Sequence, residues 1–159
     1  MSSVVNELKE YIKSLNVLLE CKANIADFII KPIESNTYEF DGRRKRFHFV
    51  LKVVGTQYEG RADRIKDLSQ GDTVQIRREP ENEYDPNCLA VLNSKGESLG
   101  TIGAEDAEMI SPVIDDAGYT ICNTFVSSVV PKSSMGAKAK TAELLVSFEL
   151  VPPGAKQKQ

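Results

Sequence analysis

Val4, Val5, Leu8, Tyr11, Ile12, Leu15, Leu18 and Leu19 recur at the spacing of a helix, with Glu and Lys between them. Roughly the first twenty residues are therefore expected to form an amphipathic helix. Its apolar stripe reads as a face docked on the rest of the chain, with a homodimer contact through this helix as the alternative. From Lys31 and Pro32 to Asp41 and Gly42 the composition is that of turns. Alternation then takes over: Phe47, Phe49, Leu51 and Val53, separated by His48, Val50 and Lys52, predict the first strand of the main domain, which is placed to begin near Arg46.

Gly55 ends or bends that strand, and Ile65 and Leu68 mark a short helix over Ala62 to Leu68 that stops near Gly71 and Asp72. Val74 and Ile76 alternate as the next strand. Leu89 and Val91 open another, and a turn at Asn93-Ser94-Lys95-Gly96 leads into a strand over Ser98 to Ile102. A helix is expected from about Ala104, with Glu105, Asp106 and Glu108 in its first turns, where the helix dipole favours acids. Pro112 implies a kink or break in it. Two long strands follow, around Thr120 to Val130 and Ala142 to Val151, with Leu144, Val146, Phe148 and Leu150 on one face of the second. The Lys132–Lys140 segment between them reads as a flexible loop, and the tail from Pro152 has too little to bury to be ordered.

Six strands and two inserted helices make a mostly β protein: a small, curled, mainly antiparallel barrel behind an amino-terminal amphipathic helix. Three parts follow: residues 1–45 as helix and linker, 46–151 as the barrel domain and 152–159 as a disordered tail. A chain of 159 residues with 41% hydrophobic content suits one packed domain.

Charge refines this picture. The net charge of −3 exerts no global pull on nucleic acid or membrane, so phosphate binding must rest on local clusters. Asp41 to Arg78 holds ten Lys or Arg against five Asp or Glu, whereas Glu79 to Tyr119 holds ten acids against Lys95 alone. A solvated surface is the plainer reading of each block. Arg43-Arg44-Lys45-Arg46 is the cluster best placed for non-specific phosphate contact, with a solvated linker as its rival.

Cys21, Cys88 and Cys122 are odd in number and widely spaced, which fits reduced thiols and not a zinc site. No secretory signal and no run of membrane-spanning length is visible, so no membrane partner and a cytoplasmic location are expected. His48 has no accompanying nucleophile motif, and no Gly-rich phosphate loop is present. The chain is read as a non-enzyme without cofactor or metal, and any helicase or nuclease activity would come from another protein.

The segment most suggestive of chemistry is Arg77-Arg78-Glu79-Pro80-Glu81-Asn82-Glu83-Tyr84-Asp85-Pro86-Asn87-Cys88-Leu89-Ala90-Val91, a polar loop held between two strands. Such loops keep side chains accessible on a fixed frame. Arg77 and Arg78, on consecutive strand positions, face opposite sides, and Arg78 is the one assigned to the groove. Each residue also has a plain structural use. Tyr58 and Tyr84 suit a barrel rim, and Asn82, Asp85 and Asn87 suit turns, because short polar side chains accept nearby backbone N–H groups.

Three features occur in one order: Val53-Val54-Gly55 with Tyr58 and Gly60, then Arg78 to Val91, then Gly96-Glu97-Ser98-Leu99-Gly100-Thr101-Ile102. Together they resemble the HIRAN family over roughly Phe47 to the strand after Gly118. The resemblance implies an oligonucleotide-binding-like (OB-like) barrel, found fused to DNA-repair translocases or alone in bacteria, whose characterised eukaryotic members grip the 3′ end of single-stranded DNA. It further implies that Tyr58 and Tyr84 sandwich or stack on terminal bases, that Asp85 accepts a hydrogen bond from the terminal 3′ hydroxyl, and that Asn82 supports that pocket; Asn87 is counted with them as a candidate nucleic-acid-binding residue. Arg61 and Arg78 would neutralise nearby phosphates. The chain departs from the DNA-end-binding pattern at Gln57, Thr101 and Ala104, where arginine, histidine and lysine are usual, and at Glu83, where proline is usual; these changes weaken a phosphate grip. The expected function is binding of single-stranded or frayed DNA in repair or a related transaction. The alternative is a protein-interaction adaptor that kept the barrel and lost the ligand.

Overall fold

The computed structural model describes residues 4–13, 36–58, 60–130 and 143–154. Residues 4–13 are helical (α1), and Leu8 and Ile12 on its stripe are buried in the same core cluster as the sheet. The stripe is thus a docking face within the chain. The rest of the predicted first helix, the Lys132–Lys140 loop, Cys21 and the end of the tail lie outside the described residues.

Seven strands form one antiparallel sheet: β1 (Thr37–Asp41), β2 (Arg46–Val54), β3 (Gln75–Arg78), β4 (Leu89–Leu92), β5 (Ser98–Ile102), β6 (Thr120–Val130) and β7 (Glu143–Val151). Two further helices are α2 (Arg61–Lys66) and α3 (Ala104–Asp115). All six expected strands are present. The seventh, β1, falls in the segment read as turns, because only two apolar residues, Tyr38 and Phe40, mark its alternation. Tyr38 is nonetheless buried between its strand partner Phe49 and α3, where its hydroxyl donates to Asp106 Oδ1 at 2.7 Å. Burial raises the pKa of both groups, and their hydrogen bond raises the tyrosine's further while opposing the rise at Asp106.

β2 organises the sheet. One edge pairs with β7 from Phe47 to Lys52; the other pairs first with β1 and then, at Val53 and Val54, with β5. Its alternating inward residues Phe47, Phe49, Leu51 and Val53 meet Leu144, Val146, Phe148 and Leu150 of β7, all buried, and the Phe49 and Phe148 rings lie 5.3 Å apart. Deleting such a phenylalanine typically costs about 3–5 kcal/mol. The sheet curls into a half-barrel in the order β3-β4-β5-β2-β7-β6, and its ends meet at a bridge between Thr73 and Phe125. Bulges in β6, one at Asn123 with φ of 51°, supply curvature.

Of the kink or break expected in α3, no break occurs. The helix passes through Pro112 without ending there, since the proline stands in its last turn and forfeits only the bond to the Glu108 carbonyl.

Gly100 is the tightest point of the frame. It sits on β5 at φ of 142°, and a Cβ there would collide with the Val54 carbonyl and the Val53 side chain. Gly100→Ala should therefore lower stability by about 2–3 kcal/mol in urea unfolding, from strain and overpacking together. Gly60→Ala, at φ of 74° with open space around it, should cost about 1 kcal/mol. Equal losses would contradict this account of the β2–β5 splice.

Candidate functional site

The 79–88 loop leaves β3 and returns as β4, and most of its backbone N–H groups are bonded within it. Asn82 Oδ1 accepts the N–H groups of Tyr84 (2.9 Å) and Asp85 (3.0 Å), and Asp85 Oδ1 accepts that of Asn87 at 2.9 Å. Backbone bonds Glu79 N to Cys88 O (2.9 Å) and Cys88 N to Asp85 O (3.0 Å) close the base. The turn uses of Asn82 and Asp85 foreseen from sequence are thus realised, and Asn87 contributes its carbonyl, which accepts from Ser111 Oγ at 2.7 Å.

The loop is also clamped to α3. The Arg78 guanidinium donates through Nε and Nη2 to Asp115, at 3.2 and 2.8 Å, and through Nη1 to the Cys88 carbonyl at 3.3 Å. Its side chain is only 15% exposed. Arg61 likewise turns inward, its Nη1 donating to the Gly55 carbonyl at 2.8 Å. Both arginines expected at phosphates are therefore engaged within the protein, where they fix the two loops that carry the tyrosines. The Cys88 thiol is buried against Glu79, with Sγ and Oε1 3.7 Å apart, and burial followed by the Glu79 charge raises its pKa from the ordinary 9.0 to about 11.

The loop spends its hydrogen bonds on itself and presents the Tyr84 ring outward, 89% exposed. Tyr58 is 59% exposed between β2 and α2. Sheet register sets the two loops beside one strand: Thr101 of β5 pairs with Val54, which leads to Tyr58, and with Ala90, which follows from Tyr84 and Asp85. Strands flanking a common neighbour are about 10 Å apart. Asp85 is half-buried, and among the described residues its Oδ2 meets no hydrogen-bond donor, which leaves it an acceptor for an incoming hydroxyl. The surroundings are acidic: Glu79, Glu81, Glu83 and Asp85 fall on one loop, and Glu79, Pro80, Glu81 and Asn82 line a shallow cavity there.

Sequence reasoning missed the partner of Arg78. The signal was present in Asp115, an acid in the last turn of α3, where the helix dipole disfavours negative charge unless a cation offsets it.

A second constellation has the outline of a catalytic triad. His48 Nε2 lies 2.8 Å from Ser147 Oγ, and its Nδ1 lies 4.0 Å from Glu39. Ser147 is only 3% exposed within β7, so no carbonyl can approach its Oγ. The row is a cross-strand polar contact.

The HIRAN domain model matches residues 46–146. The chain belongs to the HIRAN domain family. It is 34% identical over 85 residues to the Fanconi-associated nuclease 1 homolog of Arabidopsis thaliana, covering 54% of this chain and 9% of that protein. It is 33% identical over 85 residues to a putative SWI/SNF-related matrix-associated actin-dependent regulator of chromatin subfamily A member 3-like 1 from the same plant, covering 53% and 8%. The chain thus spans less than a tenth of the length of these relatives. Similar solved structures are a Lactobacillus plantarum protein (22% identity, 64% and 91% coverage, TM-score 0.48) and the HIRAN domain of human HLTF (23% identity, 65% and 76% coverage, TM-score 0.47). Within this HIRAN chain, Thr101 sits at the register row shared by the two tyrosine loops.

Two outcomes test the clamp. Asp115→Ala should lower stability by about 1–3 kcal/mol in urea unfolding, since it strands a largely buried guanidinium, and should speed alkylation of Cys88 at pH 8.5. The raised thiol pKa means that the folded chain holds a proton that the unfolded chain releases. Its contribution to stability is full below pH 9 and is lost as pH rises through about 11. Cys88→Ala should accordingly flatten the alkaline limb of the stability curve; an unchanged limb would contradict the assignment.

Proposed function

We propose that this HIRAN chain is a non-catalytic nucleic-acid-binding module that receives the end of a single-stranded or frayed DNA, 3′ hydroxyl inward, in repair or a related transaction. The observation that carries this reading is Tyr84: an aromatic ring 89% exposed on a loop whose tip is folded by hydrogen bonds from its own backbone to Asn82 and Asp85. A ring held out on a rigid loop is presented at little entropic cost, and stacking of a base on it contributes about 1–3 kcal/mol without regard to sequence. Tyr58 supplies a second ring across β5. Asp85 Oδ2 accepts the terminal hydroxyl and, as a carboxylate, repels a terminal phosphate. Family membership supports this use, and the nuclease and chromatin names of the relatives fit a module that works beside an enzyme supplied elsewhere.

Charge shapes the mode of binding. With Arg61 and Arg78 engaged internally and four carboxylates on the loop, stacking and the hydroxyl contact outweigh phosphate neutralisation. The ligand is gripped by its end, not along its backbone.

Fluorescence anisotropy with short single strands ending in a 3′ hydroxyl or a 3′ phosphate, and with a blunt duplex, tests the reading. The 3′-hydroxyl strand should bind best, and Tyr84→Ala should weaken it by about five- to 150-fold, the equivalent of 1–3 kcal/mol. Asp85→Asn should erase discrimination against the phosphate. The plot of log affinity against log salt should have a slope of only about −1, as for one or two neutralised phosphates. Equal binding of all three ligands, indifferent to both substitutions, would overturn the proposal.

A further inference from the structure

A groove of about 640 Å³ runs between α1 and α3, separate from the tyrosine loops. Its floor is apolar: Val4, Leu8 and Tyr11 come from α1, and Met109 and Pro112 from α3. Tyr11 is among the exposed large hydrophobics, although its neighbours Leu8 and Ile12 are buried. The rim is acidic on both sides, with Glu7 from α1 and Glu105 and Glu108 from α3, all exposed. Among the described residues no cation lines it: Lys9 is turned away, its Nζ 4.7 Å from the Phe40 ring. The charged groups of the rim are thus the carboxylates of Glu7, Glu105 and Glu108.

We infer that this groove docks a basic amphipathic helix of a partner protein, its apolar face on Leu8, Tyr11 and Met109 and its Lys or Arg side chains on Glu7, Glu105 and Glu108. Three features select that occupant. The lining positions on each helix repeat at three- and four-residue intervals, so the groove is flanked by two helical ridges and accommodates a third helix of about two turns. An apolar floor removes greasy surface from water, which a nucleic acid backbone does not offer. The carboxylates repel phosphate and attract ammonium and guanidinium groups, giving specificity and a fast, salt-dependent encounter. Asp106, between the two α3 acids, is held inward by Tyr38 and does not belong to the rim. This inference does not rest on the DNA-end reading.

The probe is a fluorescein-labelled synthetic helix of about 14 residues, roughly four turns, with Leu at i, i+3, i+4 and i+7 and Lys elsewhere; a counterpart carries Glu in place of Lys. The Leu/Lys helix should bind the full chain at least tenfold more tightly than the Leu/Glu helix. The exposed double substitution Glu105→Gln with Glu108→Gln should weaken it at least fivefold while far-UV circular dichroism stays unchanged. With ¹³C-methyl-labelled methionine, the Met109 signal should shift on titration, and Tyr84→Ala should bind the probe as the parent does. Equal affinity for the two helices, indifference to the double substitution, or an unmoved Met109 signal would each overturn the proposal. So would a dimer in sedimentation equilibrium that Met109→Lys dissociates, since a second copy would then be the occupant.

Discussion

The candidate site depends on the Arg78–Asp115 ion pair. It ties the end of β3 to the end of α3 and, through the second arm of the guanidinium, fixes the Cys88 carbonyl at the base of the 79–88 loop. Ser111, one helical turn before Asp115, holds the Asn87 carbonyl from the same helix. Two points on α3 therefore anchor the returning limb of the loop, while Asn82 and Asp85 fold its tip by accepting backbone N–H groups. A loop of this length would otherwise lose backbone entropy on meeting a ligand, at about 1–2 kcal/mol per residue fixed. Here that loss is met during folding, and the ring stays outside.

The same arrangement sets the chemistry that remains. Arg61 and Arg78 serve as struts, and the proposed end recognition accordingly rests on ring faces and on one carboxylate oxygen. Glu79, Glu81 and Glu83 sharpen this by opposing any long run of phosphate over the loop. Along the first turns of α3 the acids have a different setting, an apolar trough beside α1, where the inferred partner helix would bring its cationic side chains. One helix thus serves two regions: Ser111 and Asp115 brace the tyrosine loop, and Glu105, Glu108, Met109 and Pro112 line the groove.

Much of the frame was legible from residue pattern. Phe47, Phe49, Leu51 and Val53 announce β2, and Leu144, Val146, Phe148 and Leu150 announce β7, because a buried strand face must be apolar at every second position. β1 was not legible, since two aromatic residues in a turn-rich segment are too few to outweigh their surroundings; its place is fixed by non-local pairing with β2. Pro112 did not break α3, because a proline near the end of a helix loses one bond that the remaining turns can spare. For the site, the roles of Asn82 and Asp85 as turn formers were readable, being local hydrogen bonds of known reach. The role of Arg78 was not, because its partner lies far along the chain and only the tertiary fold joins them. Asp115 at an unfavourable helix end was the trace of that contact.

The central claim is that the tyrosine loop is rigid before any ligand arrives. Backbone ¹⁵N relaxation of the free protein measures this directly at the amides of Asn82, Tyr84, Asp85 and Cys88. The clamp predicts order parameters near 0.85, about those of the neighbouring strands; values below about 0.6 would show a floppy loop and contradict the account.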